Sequence, residues 1–344
     1  MDISELSAGE EEVWDEYVQQ AAGASFWHLA GWKTVMERTF GHQTVYLNAQ
    51  ENGRVVGLLP LLYVKSTLAG HYLTSVPGGL CADSEAVAAG LIEQAQELTR
   101  VRNADYLILR DSPTRWDLPG FVITNEHCDA IVHLPDTVDQ TWKLVGHDEK
   151  RHTRKAAKAG LAAAISQNGL DSYYPVYLEA MRDIGTPTPG RKFFCNVADR
   201  FPDSFKIITV HQNGLTVGGG TLALFKDTLF CLWSGMLRRY YPLHPSHALY
   251  WEALKYSCQH GLRQVNLGRC QRDSGAYKFK LHWGAEARPL YQHYYLRTID
   301  QPPPVGASMK EEARYRLFVN VWRHLPLAAT EAIGPHLRKR MPFG

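Results

Sequence analysis

The densest mixture of chemistry-bearing residues runs Leu267-Gly268-Arg269-Cys270-Gln271-Arg272-Asp273-Ser274-Gly275-Ala276-Tyr277-Lys278-Phe279-Lys280, then Leu281-His282-Trp283-Gly284. It begins where a predicted strand, Gln264 to Leu267, ends, the usual place for a site in α/β folds. Cations, aromatics and glycines in that mixture suit an anionic ligand with a planar or sugar part. A surface lysine on a strand or loop is the plainer reading of Lys280, and spacing alone favours it. A second cluster, 147–160, sets Lys150, Arg151, Arg154, Lys155 and Lys158 on about three helical turns closed by Gly160. Such a helix can hold phosphates, and it can equally be solvated surface; spacing does not separate the two.

Other chemistries lack their residues. There is no Gly-x-Ser-x-Gly, no His-Glu-x-x-His and no cysteine placed as a nucleophile, so covalent catalysis is not expected. His244 and His247 flank Pro245-Ser246 with no further tight ligand pair, and no metal is expected. The six cysteines are scattered without Cys-x-x-Cys and read as reduced. Gly218, Gly219 and Gly220 fall within a predicted strand and read as close backbone packing rather than a phosphate loop.

The elements that must carry these residues repeat. Asn52-Gly53-Arg54-Val55-Val56-Gly57 and Asn213-Gly214-Leu215-Thr216-Val217-Gly218 share N-G-x-x-V-G at an offset of 161, each between apolar runs, the signature of a type I′ hairpin. Predicted helices precede both (11–22 and 32–40; 171–184 and 192–201). A further helix and a strand follow both (84–101 and 106–109; 246–260 and 264–267). Gene duplication explains the whole order better than coincidence. That order resembles the acyl-CoA N-acyltransferase (GNAT) fold in tandem, an α/β (α+β) class with mixed sheets. The expected domains are 1–145 and 146–300, followed by a basic helical tail, 301–344. Pro60 inside the first long strand asks for a bulge or an edge position. Where such a fold cradles coenzyme A pyrophosphate on a glycine-rich turn, this chain has Leu80 to Glu85 and Tyr241 to Ser246, and neither is that cradle.

Composition sets the remaining bounds. With 344 residues, 45% hydrophobic and 21% charged, the chain is long enough for two cores and is not disordered. A net charge of +2 argues no nucleic-acid partner from the total, and DNA is not expected. The longest apolar run, 55–64, is too short to cross a bilayer, and seven acids without Lys or Arg in the first twenty residues are the reverse of a secretory leader. A cytoplasmic chain is expected. In the tail, Lys310, Arg314, Arg316, Arg323, Arg338, Lys339 and Arg340 outnumber Glu311, Glu312 and Glu331. A docked helix with a solvated basic end is the expectation there, and peripheral membrane contact the alternative.

Several of these motifs are similar to those of the Fem family of nonribosomal peptidyltransferases. Arg154-Lys155-Ala156 with Lys158-Ala159-Gly160-Leu161 resembles the opening of its second domain. Tyr277-Lys278-Phe279-Lys280 with Trp283-Gly284 resembles its Lys-Phe-Lys-x-x-x-Gly element. Gly185-Thr186-Pro187, Trp233-Ser234-Gly235 and Leu249-Tyr250-Trp251 resemble the branch found with exosortase and exopolysaccharide genes. The likeness spans about Phe26 to Leu290.

The resemblance implies transfer of an aminoacyl or acyl group to an amine of an anionic or lipid-linked envelope precursor, with no cofactor beyond the donor. It carries the catalytic pair to Phe279 and Lys280, and a phosphate-holding role to Arg191. With no enzyme nucleophile, the acceptor amine attacks the donor ester directly, and a fixed cation at Lys280 stabilises the anionic carbonyl oxygen. Phe279 would shape the acyl pocket; Arg269, Arg272, Lys278, Tyr277 and Trp233 would hold the substrate; Lys150, Arg151, Arg154 and Lys155 would hold the donor. Aminoacyl-tRNA is the implied donor, but the long helical-hairpin arm of some members is absent, so acyl-CoA or an acyl carrier protein stays open. A non-catalytic scaffold is the third reading.

Overall fold

The computed structural model describes residues 1–66, 69–303 and 313–340. Lys310, Glu311 and Glu312 of the basic tail lie outside them.

Two compact units emerge, and they differ from the division at 145/146. One comprises Met1–His127 with 289–303 and 336–340; the other comprises Cys128–Arg288 with 313–335. In the first unit the strand order is β1 (Asp2–Glu5), β2 (Gln43–Glu51), β3 (Arg54–Ser66), β4 (Gly70–Ser75), β6 (Tyr106–Ser112) and β13 (Glu286–Leu296), with β5 (Cys81–Ala82) on β3. In the second it is β7 (Phe121–His133), β12 (Gln264–Gln271), β11 (Thr228–Met236), β10 (Leu215–Phe225), β9 (Phe205–Gln212) and β8 (Leu161–Ser166). β7, the last strand of the first repeat, is thus divided, 121–127 in the first unit and 128–133 in the second, and most of β13, the last strand of the second repeat, lies in the first. Hydrophobic pattern reports where a strand is but not which sheet it joins, so an exchange of this kind leaves no local signal. The tail divides as well: α10 (Ala313–Arg323) and most of α11 (Leu327–Arg338) belong to the second unit.

Both predicted hairpins are present. Asn52 (φ 50°) and Gly53 (φ 75°) join β2 to β3, and Asn213 (φ 49°) and Gly214 (φ 80°) join β9 to β10. Two successive left-handed residues match the twist of the strands, and Asn-Gly reaches that conformation at least cost. Each hairpin is preceded by two helices, α1 (Glu11–Gln20) and α2 (Gly31–Phe40) in the first unit, α6 (Leu170–Ile184) and α7 (Arg191–Arg200) in the second. Each is followed by a parallel crossover. β4 runs beside β6 across α3 (Glu85–Val101), and β11 beside β12 across α8 (Pro245–Gln259). Ser84 caps α3 by accepting from the Val87 N–H at 3.3 Å. Pro60 sits where the second neighbour of β3 changes from β5 (Gly57, Leu58) to β4 (from Leu61), so it is at a gap in pairing rather than at an edge.

Each unit has its own core. Leu59, Leu61, Leu73, Leu91 and Leu107 centre the first; Val217, Leu222, Leu229, Leu254, Val265 and Trp283 centre the second. The three glycines of β10 pack as expected. A Cβ on Gly219 would meet the Ile208 carbonyl oxygen at 2.7 Å and the Tyr173 ring at 2.9 Å, so α6 can lie on the sheet only if this position is bare.

Candidate active site

The geometry centres on Lys280, and the fold places it differently from a surface lysine. Ser274 accepts from the Tyr277 N–H at 3.1 Å and starts a short helix, α9 (Gly275–Leu281). The last turn of α9 lies against β12, and Lys280 is 8% exposed. Its Nζ donates to the Gly268 carbonyl at 2.7 Å and to the Arg269 carbonyl at 3.1 Å. Those carbonyls are available because β12 turns at Gly268 (φ 88°), whose N–H donates at 2.8 Å to the Asn266 side chain, itself tied to Asp129 at 2.9 Å. Gly268 has no alternative at this point: an added Cβ would meet the Cys231 carbonyl oxygen at 2.9 Å and Lys280 Nζ at 3.5 Å.

Among the described residues Lys280 has no carboxylate within ion-pair distance. Burial pulls its pKa below the ordinary lysine value, while the more distant Cys270 and Asp129 pull the other way. Two of the three ammonium donors are taken by carbonyls, and one remains. Among the described residues, the parallel register of β11 and β12 runs only from Thr228↔Gln264 to Phe230↔Asn266, although both strands continue. The amine therefore stands just beyond the last paired rung.

Phe279, the other half of the expected pair, joins an aromatic wall with His247 (centroids 5.2 Å), Tyr250 (5.5 Å) and Trp283 (6.2 Å). The Cys128 and Cys270 thiols lie 3.7 Å apart, and burial beside Cys270 pushes the Cys128 thiol up to about 12. Both are free, and a thiol so rarely ionised is a poor nucleophile.

The remaining expected residues are gathered less tightly. Arg269 contributes its backbone carbonyl to the Lys280 seat; Arg272 and Lys278 are exposed near it and Tyr277 is half-buried. Arg191, at the start of α7, is ion-paired with Asp171 of α6, and among the described residues no hydrogen bond or ion pair joins it to Lys280. Trp233 sits on β11 with φ 33°, its ring edge-on to Phe193 (5.0 Å) and Phe194 (5.7 Å), while Tyr173 donates to its carbonyl. A tryptophan forced to positive φ is costly and marks a place where the backbone shape is needed.

The basic helix is α5 (His147–Lys158), closed by Gly160 (φ 77°). Arg151 pairs with Asp148 at 3.1 Å, Lys150 caps the Lys143 carbonyl at 3.2 Å, Arg154 lies 5.6 Å over Trp142, and Lys155 is exposed. Sequence reasoning missed the relation of this helix to the start of α8. His152 stacks on His244 (4.2 Å, 16° between planes) and lies edge-on to His247 (5.1 Å). Burial pulls His247 down to about 4, and His244 is lowered too, first by burial and then by His152, Lys155 and Arg151. His152 is 92 residues away in the chain from His244 and no spacing rule connects them. Among the described residues no three His, Cys, Asp or Glu side chains are arranged to hold a metal.

The start of α8 offers few free amides. Pro245 occupies its first position and has no N–H, and the His247 N–H is used by the His244 carbonyl at 3.0 Å.

Comparisons with known proteins agree with this architecture. Residues 147–281 match the family described as "Acetyltransferase (GNAT) domain". These residues form an acyltransferase domain of the GNAT fold. Among solved structures, that of FemX is similar with a TM-score of 0.70 at 14% identity, over 87% of this chain and 98% of that one. L-PGS from Bacillus licheniformis follows at 0.58 and 12%, over 93% and 100%. A tandem GNAT protein from the clavulanic acid biosynthesis pathway gives 0.56 and 12%, over 89% and 99%. The tandem arrangement read from the repeat is thus the fold of these structures, and the Fem-like motifs stand on the fold of FemX. A comparison with curated proteins gives no match.

Proposed function

We propose that this chain transfers an aminoacyl or acyl group from an activated ester to the amine of an anionic, cell-envelope precursor, in the cytoplasm and without a bound cofactor. The buried Lys280 ammonium on the Gly268 and Arg269 carbonyls carries the reading. As the acceptor nitrogen bonds to the acyl carbon the carbonyl oxygen becomes anionic, and as the oxyanion collapses the bond to the donor oxygen or sulfur breaks, that leaving atom taking up the proton which the nitrogen gives up. A cation held in a water-poor seat with one free donor stabilises that oxygen at little reorganisation cost. Phe279 and its aromatic neighbours flank the acyl group, and Arg269, Arg272 and Lys278 meet the negative charge of the precursor. The exposed cations of α5 meet the phosphates of the donor. Aminoacyl-tRNA is the donor we favour, because Pro245 and the engaged His247 N–H leave α8 few amides for a pyrophosphate. The name of one similar fold, a putative lysylphosphatidylglycerol synthetase, is in keeping with aminoacyl chemistry.

Single-turnover transfer from aminoacyl-tRNA, acyl-CoA and acyl carrier protein, followed by mass spectrometry on envelope precursors, tests the reading. The expected result is transfer from aminoacyl-tRNA that is lost in Lys280→Met, with weak or no calorimetric binding of acetyl-CoA. Saturable micromolar binding of acetyl-CoA would promote the coenzyme A alternative, which the tandem GNAT relative keeps in view.

A further inference from the structure

A surface helix that packs on a protein ordinarily turns polar residues outward. The helix α10 does not. Its inner side is well anchored: Trp322 is 3% exposed, Phe318 stacks on it at 5.6 Å, and Val319 covers Gly185, where a Cβ would come within 2.5 Å of it. On the outer side Leu317 is 64% exposed and Val321 53% exposed, one turn apart. Ile184, at the end of α6 against which α10 packs, is 47% exposed, and Arg323 Nη2 reaches its carbonyl at 3.4 Å.

The charge on α10 itself has one sign, and Asp183 beside Ile184 is ion-paired with Arg182 at 2.7 Å. Arg314 and Arg316 are exposed beside Leu317, Arg323 lies two residues after Val321, and α10 contains no acid. Across 313–340 there are six Lys or Arg against the single Glu331, although the whole chain is only +2. Two protruding aliphatics set among arginines, on a helix already fixed by its other face, match an interfacial element. The aliphatics enter the acyl boundary while the arginines stay with the headgroups. A protein partner would have to supply acids at three places around an apolar socket, whereas an anionic bilayer supplies both everywhere.

We infer that α10 docks this chain peripherally on an anionic lipid surface, with Leu317 and Val321 inserted and Arg314, Arg316 and Arg323 on the headgroups. No described helix is long and apolar enough to cross a membrane, so the contact lies on the bilayer. This goes beyond the transfer reaction and does not depend on it.

Co-sedimentation of the full chain with phosphatidylcholine vesicles, with and without phosphatidylglycerol at about one third of the lipid, tests it. Binding is expected only with phosphatidylglycerol, weakening at least about tenfold between ~0.05 and ~0.5 M salt. Leu317→Ser with Val321→Ser should weaken it about tenfold or more. Arg314→Glu with Arg316→Glu should abolish it. All four positions are exposed, and circular dichroism should show an unchanged fold. Equal partition to both vesicle types, absence of binding at low salt, or variants that bind like the parent would each overturn the inference, including the case in which a protein covers this face. Transfer activity is not read, so failure here leaves the proposed reaction standing.

Discussion

Lys280→Met asks the most of the proposed site, because it removes the charge and nearly keeps the volume. The stability effect has two opposing parts. The Gly268 and Arg269 carbonyls lose their donor, at about 1–3 kcal/mol for a buried group left unmade. Against this, a buried amine with no carboxylate partner leaves the core, and replacing buried charge by an apolar isostere is often neutral or favourable by about 1–4 kcal/mol. The melting temperature should therefore move by only a few degrees in either direction. Turnover should behave otherwise. A unit charge about 4 Å from a forming oxyanion at an effective dielectric near 20 is worth about 4 kcal/mol, and deletion of single oxyanion donors costs roughly 10²–10³ in rate. We expect kcat to fall by about that factor with KM little changed, the pattern of an interaction made only in the transition state.

The pH profile gives an independent reading. Burial lowers the pKa of Lys280 from the usual 10.5, so the charged form, and with it activity, is lost as pH rises at a lower pH than for a surface lysine. The alkaline limb should disappear in Lys280→Met. Single-turnover kinetics at several pH values would measure both effects. A Lys280→Met enzyme that is folded and within about threefold of parental kcat would refute the electrostatic role, given the 10²–10³ expected.

Three further expectations concern what surrounds the site. Gly268→Ala puts a Cβ 2.9 Å from a backbone carbonyl at φ 88°; it should cost about 2 kcal/mol or more in urea unfolding and displace Lys280, lowering kcat as well. Tyr173→Phe leaves the Trp233 carbonyl without its hydroxyl donor; a loss of about 1–2 kcal/mol is expected, and an unchanged midpoint would show that this bond does not hold the strained turn. His42, His247 and His293 are each pulled down from 6.5 to about 4, first by burial, so the folded chain keeps them neutral while the unfolded chain takes up protons below 6.5. Stability should be level above 6.5 and fall as pH drops towards 4, by at most about 1.4 kcal/mol per pH unit for each histidine. Urea midpoints that stay flat from pH 7 to pH 5 would contradict it.

What was legible in the sequence is what local chemistry decides. Asn52-Gly53 and Asn213-Gly214 announce their turns because two successive positive φ values are needed there, Ser84 announces a helix start through its side chain, and Gly160 announces a helix end. Lys280 was legible as a member of a motif but not as a buried group. Its burial depends on α9 folding back on β12, which tertiary packing sets. The partnership of His152 with His244 and His247, the division of β7 between units and the placing of most of β13 in the first are likewise choices made in space, where residues far apart in the chain pair for reasons that no window of sequence contains.

The duplication also gives a reason for the proposed reaction to be assigned to the second unit. Strands β6 and β12 occupy equivalent positions, each parallel to the strand before its crossover helix, and each turns left-handed near its end: at Asp111 (φ 50°) in one and at Gly268 (φ 88°) in the other. In the first unit the turn is closed by an acid. The Asp111 N–H donates to Gln292 Oε1 at 3.2 Å, Gln292 Nε2 donates back to the carboxylate at 2.6 Å, and Arg110 pairs with it at 3.5 Å. A glutamine and an arginine there satisfy the acid and lock the bend. In the second unit the turning residue has no side chain, and the tip of Lys280 lies against it, its ammonium donating to two backbone carbonyls with, among the described residues, no carboxylate within ion-pair distance. One bend thus carries an acid paired with an arginine and the other an ammonium with, among the described residues, no ion-paired carboxylate, which is why the proposed oxyanion contact is assigned to the second.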